Sequence, residues 1–209
     1  MKRQFRLSLE AKKDLILHTY DSFLINQTRL FAQTRSNKES DSAEINRRQE
    51  LLFLDDLTGF AIAARRLVEL TGLKSFANRC MIPMVYLDRG EEPYGLMKLK
   101  DKAVGFHTII NRLVHASIIE HIRNRLDFVL FVERPEKEIV EKIMWNRIAK
   151  KNYDHEPMEQ LLFVSTDDVN PVFFSIDDMI EQSIIVADKV VEVCNGQKIF
   201  LELDMRGAD

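Results

Sequence analysis

The stretch Phe106 to His121, FHTIINRLVHASIIEH, concentrates the residues best suited to chemistry. His107, Asn111 and His115 recur at four-residue steps, and Arg112 stands three residues before His115. On a helix such steps stack side chains on one face. That face also carries Phe106, Ile110, Leu113, Val114, Ile118 and Ile122, so four polar groups lie in or beside an apolar stripe. A histidine placed there can move a proton near neutral pH. An arginine beside it can hold a phosphate or a developing negative charge. The same residues equally suit a buried polar network that pins neighbouring elements, in which an unpartnered member costs about 1–3 kcal/mol. Both readings stay open on sequence alone. Chelation of a single metal ion fits poorly, because eight residues of helix separate His107 from His115, about 12 Å of rise.

The elements around this stretch follow from hydrophobic period and breakers. From about Ser8 to Gln33 the apolar residues recur mostly at three- and four-residue steps, which predicts a helix. Thr34 to Ser42 contains no apolar residue and reads as a solvated connector. A second long helix is expected from about Ala43 to Leu70, capped by Ser42 and stopped by Gly72, with Gly59 marking a bend or a close helix contact. Met81 to Leu87 is a short strand or an irregular buried segment, Pro83 arguing against a central strand. Asp88 to Gly95 reads as a loop. The candidate stretch itself is expected inside a third, central helix from about Lys100 to Arg125, the most buried of all. Strands are predicted at Phe128 to Val132, Leu161 to Ser165, Val172 to Ser175 and Ile199 to Leu203. Helices are predicted at Glu136 to Lys151 and Ile176 to Cys194, the latter capped by Ser175. The expected fold is mainly α within an α+β class: a bundle of three long helices, a small antiparallel β element and a C-terminal helix. Residues 1–209 are read as one domain, with the bundle over about 8–125 and the β element plus helices over about 126–209.

Composition narrows the function classes. Thirty basic against 33 acidic residues give a net charge of −3, so there is no global pull toward nucleic acid. Two cysteines, Cys80 and Cys194, suggest neither a disulfide framework nor a zinc site and fit a reducing cytoplasm. The N-terminal basic residues have no apolar stretch behind them, and no run approaches a membrane span. No glycine-rich phosphate loop, nucleophile elbow or paired-cysteine motif is present, so no cofactor or metal is expected. Arg47–Arg48, Arg65–Arg66 and the run Arg123, Asn124, Arg125 read most simply as solvated helix faces or ends, as does Lys150 to Glu156.

The string Asn111-Arg112-Leu113-Val114-His115-Ala116 resembles a motif of uncharacterised bacterial helical proteins: Asn, a basic residue, two aliphatics, His, Ala. With the long helices before it, over about Ala43 to His121, the chain resembles the HEPN superfamily of toxin–antitoxin and phage-defence systems. Many members are metal-independent ribonucleases acting as dimers. The resemblance implies His115 as general acid/base, Arg112 as phosphate contact, Asn111 and His107 as orienting groups, and a homodimer with an RNA or protein partner. An active member resembles Arg, four to six residues, then His. Here two residues separate Arg112 from His115, and seven separate Arg147 from His155. The alternative of a different class is a non-catalytic interaction module: an antitoxin, adaptor or oligomeric scaffold.

Overall fold

A computed structural model describes residues 8–35, 42–88, 98–122, 160–166, 169–197 and 199. Two long helices open the chain, α1 (Leu9–Arg35) and α2 (Ala43–Thr71). They pack along their length, with Phe23 stacked on Phe60 at 5.3 Å and Leu30, Phe53 and Leu57 buried between them. Gly59 marks the close helix contact: a Cβ there would come within 2.8 Å of the Asn26 side-chain nitrogen. Ser42 takes the N-cap position of α2 but its side chain makes no capping hydrogen bond, and Gly72 ends the helix in the left-handed region at φ 72°, where a glycine carries no steric cost. The short helix α3 (Lys74–Ala77) follows.

The sheet comprises β1 (Met81–Asp88), β2 (Lys98–Gly105), β3 (Ile118–Ile122), β4 (Leu161–Thr166) and β5 (Val169–Ser175). Its spatial order is β2-β1-β5-β4-β3, and every neighbouring pair is antiparallel. Ile82, Met84, Leu162, Val164, Val172 and Phe174 belong to the same buried core as the helices. Val85, Phe163 and Phe173, in register across three strands, alternate to the other face and are buried as well. Helix α5 (Ile176–Gly196) starts where β5 ends, its first turn capped by the Ser175 hydroxyl accepting from the Asp178 amide at 3.3 Å. A buried Gln27 Nε2 donates to Ser183 Oγ at 2.6 Å and so ties α1 to α5.

The α+β class holds; among the described residues the long helices are α1, α2 and the expected C-terminal helix, α5. The long central helix does not exist. Lys98–Gly105 is strand, the helix α4 covers only Phe106–Val114, and Ile118–Ile122 is strand again. Lys100 to Val104 pair with Tyr86 to Ile82, and Ile118 to Ile122 pair with Ser165 to Leu161. Five β-branched or alternating positions from Ile118 onward gain more from a partner strand than from a further helical turn. The helical face read across Ile118 and Ile122 therefore ends at Val114. The β element is also larger than expected, and it draws three of its five strands from the region assigned to the helical bundle.

Pro83 lies in a strand with neighbours on both sides. β5 reaches only Met84 to Tyr86 of β1, so at Pro83 the strand is paired with β2 alone. There it behaves as an edge, where a proline is tolerated. β5 begins at Val169, which puts Asn170 and Pro171 in strand rather than turn. The expected connector at 36–41, the loop from residue 89, the strand and helix between 128 and 151, and the strand after Ile199 fall outside the described residues.

Candidate functional site

Helix α4 carries His107, Asn111 and Arg112, and His115 is its C-cap. Gly105 makes its entry possible, because a Cβ there would sit within 2.6 Å of the Asn78 Cα. Phe106, Ile109, Ile110 and Leu113 turn into the core and fix the rotation of the helix against α2. Phe60 meets Phe106 edge-on at 6.3 Å. That rotation leaves His107 and Asn111 one turn apart on a flank of the helix facing the C-terminal part of α2. His115 follows as the C-cap, exposed.

The structure brings His107 and Asn111 together: Asn111 Nδ2 lies 3.2 Å from His107 Nδ1. His107 is only 4% exposed. Burial pushes its pKa below the ordinary 6.5; Lys74 and Arg65 lower it further and Glu69 opposes them. The imidazole is thus held neutral. The partner of His115 is Arg65 from α2: Arg65 Nη1 stands 3.0 Å from His115 Nε2. A guanidinium only donates, so Nε2 accepts and the ring proton rests on Nδ1. Glu69, one turn further along α2, holds Arg65 Nε at 3.1 Å and completes the chain Glu69–Arg65–His115. Arg112 is half-buried, and burial lowers its pKa.

Sequence reasoning missed Arg65. The solvated face expected at Arg65–Arg66 holds for Arg66, which is exposed, whereas Arg65 is partly covered and engaged. The available signal was Glu69 four residues on, the spacing of a helical ion pair. Nothing in the sequence links residue 65 to residue 115. A second buried polar group was missed as well. His121 on β3 stacks on Phe53 of α2 with ring centroids 3.8 Å apart, and its Nε2 lies 2.7 Å from Gln160 Oε1. Gln160 Nε2 donates to the Thr34 carbonyl at 3.1 Å, which orients the amide and assigns the proton to His121 Nε2. Glu50 Oε2 stands 3.6 Å from His121 Nδ1. This group joins both long helices to the sheet edge and reads as structural. The segment Arg123 to Arg125 and the polar run Lys150 to Glu156 fall outside the described residues.

Among the described residues no three His, Cys, Asp or Glu side chains gather as a metal-ligand set, and no helix is long and apolar enough to cross a membrane. Comparison with protein-family models, curated proteins and solved structures finds no match for the chain.

Proposed function

We propose that the chain is a HEPN-like protein of a toxin or phage-defence type system that cleaves RNA without a metal, acting in the cytoplasm as a homodimer. The observation that carries the reading is the Arg65–His115 contact at 3.0 Å on an accessible surface. A cation beside a histidine is the pairing such chemistry needs. It arises here between two helices, not within one, so the missing Arg–His sequence spacing is no obstacle to it.

In this reading a phosphodiester draws Arg65 toward its oxygens and frees His115 Nε2. His115 then takes the proton of a ribose 2′-hydroxyl as that oxygen forms its bond to phosphorus. The bond from phosphorus to the 5′-oxygen breaks, and the proton passes from the imidazole to that leaving oxygen. The products are a 2′,3′-cyclic phosphate and a 5′-hydroxyl. Arg65, with Arg112 as a second candidate, stabilises the charge growing on the phosphoryl oxygens. Removing one such group lowers the rate by about 10²–10³-fold. His115→Gln should therefore abolish cleavage of single-stranded RNA, and Arg65→Gln should reduce it by about that factor with the fold intact. Wild-type protein that leaves RNA uncut under all conditions, or a His115→Gln variant as active as wild type, overturns the reading.

A non-catalytic interaction module is favoured by a different observation. Ile45, Leu51, Leu52 and Ile62 of α2 are exposed, as are Ile184 and Ile185 of α5. Exposed apolar groups of this number suit a partner helix or a second copy. The homodimer of the first reading uses the same side chains.

A further inference from the structure

Helix energetics do not explain a carboxylate at position 69. Glu69 lies in the last turn of α2, which runs to Thr71 and has no basic residue there. An acid at that end faces the partial negative charge of the final carbonyls, the unfavourable pole of the helix dipole for it. Its ion pair with Arg65 spans four residues with the base first, the weaker of the two orders on a helix. Arg65 and Glu69 are 34% and 53% exposed, so water screens the pair and its contribution to stability is small. What the carboxylate does is hold an arginine in one place.

An arginine on a helix surface has several staggered rotamers open to it, each carrying the guanidinium to a different position. Two bonds at different nitrogens select one. Glu69 Oε1 accepts from Arg65 Nε at 3.1 Å, and His115 Nε2 accepts from Nη1 at 3.0 Å. Two of the five N–H groups are taken in this way, and three remain for another acceptor. Once a phosphodiester takes Nη1 from His115, the bond to Glu69 is the anchor that stays. Among the described residues Arg65, Glu69 and His115 make no further side-chain hydrogen bond or ion pair, so no second support stands in for it.

We propose that Glu69 is the positioning residue of the site. Through Arg65 Nε it sets where the guanidinium meets the phosphoryl oxygens, and it keeps the cation beside His115 while the imidazole works as base and acid. The inference rests on the RNA-cleavage reading and adds to it a residue that touches neither the RNA nor the reacting atoms. It also separates the two kinetic constants. Glu69 is a negative charge beside an anionic substrate, so its loss does not weaken binding; what goes is alignment in the transition state.

Cleavage of a short fluorogenic single-stranded RNA is measured across substrate concentrations for the wild type, Glu69→Ala, Glu69→Gln, Arg65→Gln and Glu69→Ala combined with Arg65→Gln. Glu69→Ala should lower kcat by about 10²-fold, the cost of a misplaced group, with KM unchanged or lower. Glu69→Gln keeps an oxygen at the same reach and should recover most of kcat. In the Arg65→Gln background Glu69→Ala should cost nothing more, because a residue that acts through Arg65 has nothing left to act on. Melting temperatures should match the wild type throughout, as expected for a surface pair. Glu69→Ala protein as fast as wild type overturns the role, and so does a loss that repeats in full in the Arg65→Gln background. A lower kcat that comes with a large fall in melting temperature assigns Glu69 to the fold and overturns it as well. In each of these cases cleavage by the wild type leaves the proposed function standing. RNA left uncut by the wild type removes both.

Discussion

A buried histidine with its pKa below the ordinary 6.5 makes stability depend on pH in one direction. In the folded state His107 stays neutral, because burial and then Lys74 and Arg65 oppose its charging more than Glu69 favours it. The unfolded chain has no such constraint and takes up a proton as pH falls through about 6.5. More protons on the unfolded state mean that stability rises with pH across this window. The melting temperature should therefore fall between about pH 7.5 and pH 5.5, and the fall should be shallower in His107→Phe. An unchanged slope would show that His107 is hydrated in the native state. The pairing of His107 with Asn111 was legible from the sequence, because four-residue spacing survives even in a helix of nine residues. Arg65 was not, since the contact that matters to it spans 50 positions and follows from how α4 rotates on α2.

Elements are held to one another by a few buried polar bonds as well as by apolar packing. Ser183 Oγ accepts from Gln27 and donates to the Ile180 carbonyl at 2.6 Å, all within the core. Ser183→Ala would leave Gln27 Nε2 buried without its acceptor, at a cost of about 1–3 kcal/mol. Chemical denaturation should show that loss, and Gln27→Leu in the same background should recover part of it. If Ser183→Ala proves neutral, α1 and α5 are not joined through this bond. Helix boundaries at Ser42, Gly72 and Ser175 were readable because capping is a local property of side chain and backbone. The extent of α4 was not local. Lys100 to Val104 and Ile118 to Ile122 tolerate helix as isolated segments, and pairing with β1 and β4, one of them some 40 residues away, decides otherwise.

Among the described residues, large apolar side chains are exposed on α2 and α5, and on α1 as Leu9, Ile25 and Phe31. The proposed dimer accounts for them. Sedimentation at micromolar concentration should give a species near twice the 24.4 kDa chain mass, and Leu52→Glu should shift it toward the monomer. A wild-type species at the single-chain mass under those conditions removes the dimer. The overall class was legible because length, scarcity of glycine and proline, and helical periodicity are global properties of the chain. The strand order was hidden, since β1 next to β5 joins segments far apart in sequence.

The outermost strands of the sheet, β2 and β3, are the two that α4 connects. Four strand spacings of about 4.8 Å separate them, roughly 19 Å. Nine helical residues supply about 14 Å along the axis, and the three residues from His115 to Ser117 add at most about 10 Å. The contour length, about 24 Å, exceeds the span by only about one strand spacing, so the connection is a direct one. That short tether confines α4 to the face of the sheet it crosses. Whatever binds at its polar flank meets groups already in place and gives up little of its own binding energy to order them.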